Sequence, residues 1–355
     1  MAISFTPLAA CAGRQPFAEC RGVNLAEGLN PVSVESIRRG LLEYGLLLFR
    51  NQDDLTPAQQ VKFNQAFGWH DPGQQEYLFG FGAPTLEHAI SGGAQVPDWP
   101  QVSVLGNVFL DNHHGIRNVQ LKPILGFTFS AWHADGLHDM HAGMPELTTM
   151  YNPNGWQTRS GGKTYFTSGV AAMDRMDPAI AEELRQCTAA YMRAPNDDHP
   201  DETRRVTYGP SFMAEHGTRR VGFGLDPDDP TAGLRDFTLL PEHADGGGRH
   251  PVVRIHPVTG QESLYVTPGK VVMLLDRESG AIRHDIEATA DLLSRALLPS
   301  ALPDIRYEHD WREGDLVAWL NTLVLHSASD PMDIDGPRLM HRVRLSTPKS
   351  TARAN

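Results

Sequence analysis

Trp132-His133-Ala134-Asp135 sets an imidazole and a carboxylate two positions apart in the chain. On a β-strand, side chains at i and i+2 leave the same face. A His-x-Asp tripeptide in a strand therefore aims one nitrogen and one oxygen donor at a single point. Leu325-His326, far downstream, offers a second imidazole. Two histidines and one carboxylate form a facial set of three donors that suits non-haem Fe(II) and leaves positions open for a co-substrate and dioxygen. Taken singly, each feature also has a plainer reading. A lone His-x-Asp is often a surface or structural pair, and a histidine after an apolar run is often an uncharged core residue.

Two further segments carry usable chemistry. Pro337-Arg338-Leu339-Met340-His341-Arg342-Val343-Arg344-Leu345 alternates with period two. Arg338, Arg342 and Arg344 fall on one face with Met340, and Leu339, Val343 and Leu345 fall on the other with His341. Arginines on one strand face can grip a carboxylate through a bidentate fork, or can simply be the solvated side of an edge strand. Ser160-Gly161-Gly162-Lys163-Thr164 suits a tight turn that presents the Thr164 hydroxyl. It is not a phosphate-binding P-loop, because the GxxxxGK[ST] spacing is absent.

The elements that must hold these residues can be read in outline. Ser33 predicts the cap of a helix with Val34, Ile37, Leu41 and Leu42 as its stripe and Gly45 as its stop. A buried strand Leu46-Leu47-Leu48-Phe49 follows. Thr56, Pro57 and Gln59 predict a capping box opening a second helix over 56–67. Residues 168–187 read as helical with a break at Asp177-Pro178, and 282–298 as a further helix. Residues 251–256 and 263–266 read as short strands, Gly314-Asp315 as a turn between strands, and Tyr307 to Ser346 as strand-rich. No linker divides the chain, so residues 1–355 read as a single domain with loop insertions at about 69–131 and 196–250. Short strands at both ends of the chain with helices outside them predict a mainly β fold, a sandwich or jelly roll with peripheral helices.

Composition narrows the function classes. The 355 residues carry a formal net charge of −12 with a pI near 5.7. That balance argues against a nucleic-acid or anionic-membrane surface. The N-terminal MAISFTPLAACAG lacks a basic, apolar leader, and no apolar window is long enough to span a bilayer. Cys11, Cys20 and Cys187 make neither a disulfide framework nor a CxxC metal site, which fits reduced thiols in a cytoplasmic protein. Oligomeric state is not legible, and homo-oligomerisation stays open.

Taken together, these segments resemble the taurine dioxygenase (TauD/TfdA) family of Fe(II)/2-oxoglutarate-dependent dioxygenases. The resemblance runs from Leu47-Leu-Phe-Arg-Asn-Gln52 and the Thr56 helix ending Ala66-Phe67-Gly68, through Trp132-His-Ala-Asp135, Gly161-Gly-Lys-Thr164 and His250 to Val266. It ends with the Trp311 to Arg342 tail. It implies a double-stranded β-helix (a jelly roll) that oxidises, most often hydroxylates, a C–H bond of a small molecule with release of succinate and CO2. By that resemblance His133, Asp135 and His326 ligate Fe(II), and Thr164 and Arg338 hold the far carboxylate of 2-oxoglutarate. Arg342 lies near that co-substrate or an anionic substrate group, and His70 lies where a substrate contact is often found. Asn107, Asn112, His113, His114, Arg117, His138, Asp139 and His141 crowd the segments around the His-x-Asp as candidate pocket residues.

The sequence departs from the family pattern at Leu320, where an Asp is usual, and at Lys163 before Thr164. Its loops around the His-x-Asp are also longer. These changes bear on the substrate more than on the chemistry. A small polar or anionic substrate is expected. A purine of the xanthine type or an amino-acid-derived metabolite is the alternative, with desaturation or cyclisation within reach of the same chemistry. Two other classes compete: a zinc hydrolase using the same three donors, and a jelly-roll binding protein without catalysis.

Overall fold

A computed structural model of the chain describes residues 2–8, 16–67, 85–86, 94–121, 132–136, 145–192, 206–212, 219–224, 240–329 and 334–346. Among these, the largest sheet has nine strands. It runs β1 (Ser4–Pro7), β2 (Ala18–Arg21), β3 (Leu46–Phe49), β20 (Leu316–Leu320), β9 (Pro145–Tyr151), β22 (Leu339–Ser346), β6 (Trp99–Gly106) and β5 (Ala94–Val96). The short β4 (Thr85–Leu86) pairs with the end of β22. A three-stranded sheet joins β19 (Arg306–His309), β10 (Thr164–Ser168) and β21 (Val324–Ala328). A four-stranded sheet joins β14 (Arg249–Pro251), β11 (Cys187–Tyr191), β17 (Val271–Asp276) and β18 (Ile282–His284). Three hairpins complete the set: β7 (Phe109–His113) with β8 (Ile116–Gln120), β12 (Val206–Phe212) with β13 (Arg219–Gly224), and β15 (Val253–Ile255) with β16 (Glu262–Leu264). The chain is mostly β, with few helices.

The helices form where the sequence supplies their ends. Helix α1 (Pro31–Tyr44) is capped by Asn30, whose side chain accepts from the Ser33 amide. The expected cap, Ser33, instead lies inside the first turn. Gly45 closes the helix at φ +70°, a left-handed conformation that costs glycine little. Helix α2 (Pro57–Gln65) has the predicted capping box, with Thr56 and Gln59 satisfying each other's backbone amides. Asp177 caps α4 (Pro178–Arg185), directly after α3 (Gly169–Arg175). Asp285 caps α5 (Ile286–Ala296), so residues 282–284, expected to be helical, are strand β18.

Three other segments differ from expectation. Residues 94–121, read as loops with short strands, hold four strands, and the eight-residue β6 sits in the main sheet against β22. Its mixed sequence, Trp-Pro-Gln-Val-Ser-Val-Leu-Gly, hides a strand whose partners supply the order. Residues 206–224, inside the predicted polar loop, hold β12 and β13. β11 likewise replaces the end of the predicted helix, where Cys187 to Tyr191 lie between β14 and β17.

One core joins Met340 and Trp319 of the main sheet to Phe166 and Tyr307 of the three-stranded sheet, and reaches α1 through Ile37 and Leu41. A second core joins Tyr165 and Leu325, from the three-stranded sheet, to Leu184 of α4, Leu293 of α5 and Leu274 of β17. The three-stranded sheet is thus covered on both faces. Strands β3 and β20 are buried along their whole length, which is why both read as unbroken apolar runs.

The turn before β20 is fixed by charge. Asp315 is 1% exposed and accepts from Arg50 at 2.6 Å and from the Arg312 amide at 2.9 Å, with His309 Nε2 at 3.4 Å. Gly314 has φ +77°, and a Cβ there would meet the Asp53 carboxylate and the Gln52 amide. Removing a buried acceptor leaves its donors unsatisfied. Asp315→Ala is therefore expected to lower unfolding free energy by about 2–4 kcal/mol. Urea denaturation of the variant against the parent, with an unchanged slope, measures this.

Candidate metal centre and co-substrate site

The His-x-Asp sits on a single bridge rather than a continuous strand. His133 and His326 exchange both backbone hydrogen bonds, each 3.0 Å long. Residues paired in that way on antiparallel strands present side chains to the same face. Their rings lie 4.1 Å apart between centroids. Asp135, two residues on, meets the same point, and the chain turns away after it at Gly136, φ +78°. Asp135 Oδ1 lies 3.8 Å from Nε2 of His133 and 3.8 Å from Nε2 of His326. All three side chains are buried.

Main-chain contacts pin the tripeptide. The Asp135 amide donates to Asn321 Oδ1 at 3.0 Å, and Asn321 Nδ2 donates back to the Asp135 carbonyl at 3.2 Å. The Ala134 amide donates to the Val266 carbonyl, and Thr267 Oγ1 donates to the Ala134 carbonyl at 2.5 Å. Asn321 is the third residue of Trp319-Leu320-Asn321. The leucine where the family has Asp therefore leaves the Asn contact to the metal strand intact.

The electrostatics suit a cation. Burial opposes ionisation of Asp135, but His326, Arg342, Arg344 and His133 together hold its carboxyl well below the usual range. Burial, with help from His133 and the two arginines, pulls the His326 imidazole down to about 3 against the opposing pull of Asp135. A neutral imidazole beside a carboxylate is the protonation state of metal ligands. Asp135 Oδ2 is buried with no hydrogen-bond partner among the described residues. Two imidazole nitrogens and one carboxylate on a shared point fit Fe(II).

A second cluster lies where the co-substrate is expected. Thr164 and Phe166 share a face of β10, and Phe166 lies opposite His326 in β21, so Thr164 opens toward the metal side. Its hydroxyl accepts from Trp311 Nε1 at 2.9 Å. Arg338 Nε donates to the Gly162 carbonyl at 3.2 Å, two residues before Thr164. A Cβ on Gly162, at φ +71°, would crowd the Arg338 side chain, so the glycine is needed for this approach. Burial lowers the Arg338 guanidinium to about 10, and no carboxylate pairs with it among the described residues. Asn107 is placed behind it: Oδ1 accepts from the Arg338 amide at 2.8 Å and Nδ2 donates to the Gly336 carbonyl at 3.1 Å. Both ends of that amide are engaged in holding Arg338.

Strand β9 adds residues that sequence reading passed over. Thr149 faces α2, where Gln60 and Asn64 donate to its hydroxyl. Glu146, Thr148 and Met150 therefore face the metal side, with Arg342 opposite Met150 and Arg344 opposite Thr148. Glu146 is 2% exposed, its two carboxylate oxygens have no hydrogen-bond partner among the described residues, and its carbonyl accepts from the Asn321 amide. Burial raises its carboxyl to about 8, with Arg254 opposing. The alternation Glu-Leu-Thr-Thr-Met-Tyr was the available signal. Arg344 was seen to share the Arg342 face but was given no role. His113 and His114 lie on the other side of β22, while Asn112 and Arg117 are exposed residues of the same hairpin. His70, His138, Asp139 and His141 lie outside the described residues.

A buried His-Asp-His set lies beside a half-buried arginine that has no carboxylate partner among the described residues, an arrangement that suits a metal ion and an anionic ligand side by side. The chain belongs to the TauD/TfdA family: the family model "Taurine catabolism dioxygenase TauD, TfdA family" matches residues 4–344. It is accordingly a dioxygenase dependent on Fe(II), 2-oxoglutarate and O2. It is 26% identical to an alpha-ketoglutarate-dependent xanthine dioxygenase of Emericella nidulans, over 90% of each chain. It is 28% identical to an (S)-phenoxypropionate/alpha-ketoglutarate-dioxygenase of Sphingobium herbicidovorans, over 97% of this chain and 95% of the relative. Its fold is similar to that of a putative alpha-ketoglutarate-dependent taurine dioxygenase from Burkholderia xenovorans. The TM-score is 0.62 at 20% identity, covering 98% of this chain and 93% of the other. No helix among the described residues is long and apolar enough to cross a membrane.

Asn321 clamps the ligand strand without touching the metal position, and partners of that kind tune metal affinity. Asn321→Ala is expected to weaken Fe(II) or Mn(II) binding about 10- to 100-fold while the protein stays folded. Anaerobic metal titration, with circular dichroism as the folding control, reads both.

Proposed function

We propose that His133, Asp135 and His326 hold the iron, and that Arg338 and Thr164 receive the distal carboxylate of 2-oxoglutarate. In this reading one oxygen atom of O2 enters a small-molecule C–H bond as hydroxyl, and the other enters succinate as CO2 leaves. The single observation that carries it is Arg338, a half-buried guanidinium with no carboxylate partner among the described residues, bonded to the carbonyl two residues before Thr164. A cation partly withdrawn from water in this way has reason to bind an anion. The neighbouring sheets fit a double-stranded β-helix in one domain spanning residues 1–355, with the metal between the main and three-stranded sheets.

Iron held by His133, Asp135 and His326 would supply the oxidising chemistry that couples the keto acid and O2 to the substrate. The chain's own residues do the rest. Asn321 and Thr267 fix the backbone that aims Asp135. Trp319, with its ring 5.0 Å from that of His326, and Phe166 wall the site against water. Asn107 sets the strand end from which Arg338 reaches in. Arg342 and Arg344 keep the metal-side potential positive, which favours a polar or anionic substrate.

Glu146 favours a second, narrower reading: a purine of the xanthine type. A carboxyl raised to about 8 is protonated at neutral pH and offers a donor and an acceptor side by side. That pattern matches the N–H and C=O edge of an oxopurine, and the xanthine-acting relative supports it. His70 remains a proposed substrate contact from the family resemblance alone.

Succinate formation from 2-oxoglutarate with Fe(II) and ascorbate, across sulfonates, aryloxy acids, purines and amino acids, tests the assignment. Asp135→Ala is expected to abolish it. Arg338→Ala is expected to raise the KM for 2-oxoglutarate by an amount equivalent to about 2–5 kcal/mol, with intact metal binding. Succinate production by Asp135→Ala equal to the parent's would remove the assignment.

Glu146 also makes a pH prediction. The folded protein keeps this proton up to about 8, whereas an unfolded carboxyl loses it near 4.5. Between those values the folded state binds more protons, so stability falls as pH rises. Glu146→Gln is expected to flatten that decline. Thermal melts of parent and variant at pH 5 and pH 8.5 measure it, and equal slopes would place the Glu146 proton elsewhere.

A further inference from the structure

The opposite face of β22 carries another group of imidazoles. His341 and Arg342 are consecutive in the strand, so His341 points away from the metal-side face. It is fully buried, on the side where Leu339 and Val343 pack with Val104, Leu110 and Ile116. The β7–β8 hairpin folds over it and brings His113 and His114 from its turn. His113 Nε2 lies 2.7 Å from His341 Nε2. The His114 ring centroid is 4.5 Å from that of His113 and 5.6 Å from that of His341. One donor nitrogen from each of the three lies within 4.8 Å of the others.

Four features set this group apart from an ordinary core histidine. A single hydrogen bond can join two of the rings, but it leaves the third without a partner. His341 Nδ1 is buried and has no hydrogen-bond partner among the described residues. His114 has φ +48° and is followed by Gly115 at φ +87°. A non-glycine residue in the left-handed region is uncommon, and here that conformation turns an exposed residue's ring onto the other two. Burial lowers all three imidazoles, His113 to about 4, so their lone pairs are free at neutral pH.

We propose that His113, His114 and His341 form a second cation site, which takes a borderline divalent ion such as Zn2+ and pins the β7–β8 hairpin to the main sheet. Three nitrogens without a carboxylate suit Zn2+, Cu2+ or Ni2+ better than Mg2+ or Ca2+. With Zn–N near 2.0–2.1 Å, two nitrogens on a tetrahedral ion stand about 3.3 Å apart, so the His113–His341 contact opens slightly on binding. The exposed side at His114 gives the ion an entry path and leaves the fourth position to water.

The test separates the two centres. His133→Ala/Asp135→Ala, which lacks two of the three iron ligands, is stripped of metal and titrated with Zn2+ against a chromophoric chelator. One equivalent is expected to bind, with a rise in Tm, while stripped wild type binds two. Adding His114→Ala, in the exposed turn, is expected to weaken that equivalent at least tenfold and cancel the Tm rise. His114→Ala alone is expected to keep 2-oxoglutarate turnover with Fe(II). No binding to the double variant, or binding unchanged by both His114→Ala and His113→Asn, would overturn the second site. A wild-type titration ending at one equivalent would overturn it too, whatever the double variant's fold.

Discussion

The site depends on one backbone event, the two-way hydrogen-bond exchange between His133 and His326. It sets two imidazoles on the same face at ladder distance before any metal is considered. Everything nearby stabilises that bridge. Phe166 and Trp319 pack around the His326 ring, Val266 and Thr267 hold Ala134, and Asn321 holds Asp135 from both sides. The carboxylate is aimed by the Asn321 contacts to the Asp135 main chain, and the chain turns away only after it, at Gly136.

Between the main and three-stranded sheets the protein leaves several buried polar groups without a hydrogen-bond partner among the described residues. Glu146, Thr148, Asp135 and the Trp319 indole each bury an atom with no partner among the described residues. In a folding core these would be defects of about 1–3 kcal/mol apiece. Facing a metal centre, they describe the complement of what binds there: a cation for Asp135, and a molecule with both donors and acceptors for the rest.

Much of the candidate site was legible because its residues are local or strongly patterned. His133 and Asp135 stand in one tripeptide, and Arg338 and Arg342 in one alternating strand. Gly162 and Thr164 stand in one turn. The α2 capping box was legible for the same reason, since both partners lie within four residues. What escaped was decided by partners far away in sequence. Glu146 is one residue in an ordinary strand until Asn321 pairs with it. Ser33 and Asn30 are both good cap residues, and it is Asn30, followed by Pro31 at the first helical position, that caps the helix. Strand β6 owes its order to β22 and β5, not to its own composition. The Asn107 amide, read as a pocket group, turns to the Arg338 backbone because β6 and β22 end side by side.

The strand order of the main sheet has a consequence for synthesis. β3 is inserted between β2, its parallel neighbour, and β20, which lies far downstream. Four consecutive apolar side chains, Leu46 to Phe49, thus leave the ribosome long before the strand that covers their other edge. The same holds for β9, flanked by β20 and β22. A nascent chain cannot close this sheet piecemeal, because distant pairing must wait for its last strands. His326 and Arg338 arrive in that final stretch, so the His-Asp-His set and the arginine beside it come together only as the sheet closes. A chain halted early carries an open apolar edge and no oxidising centre.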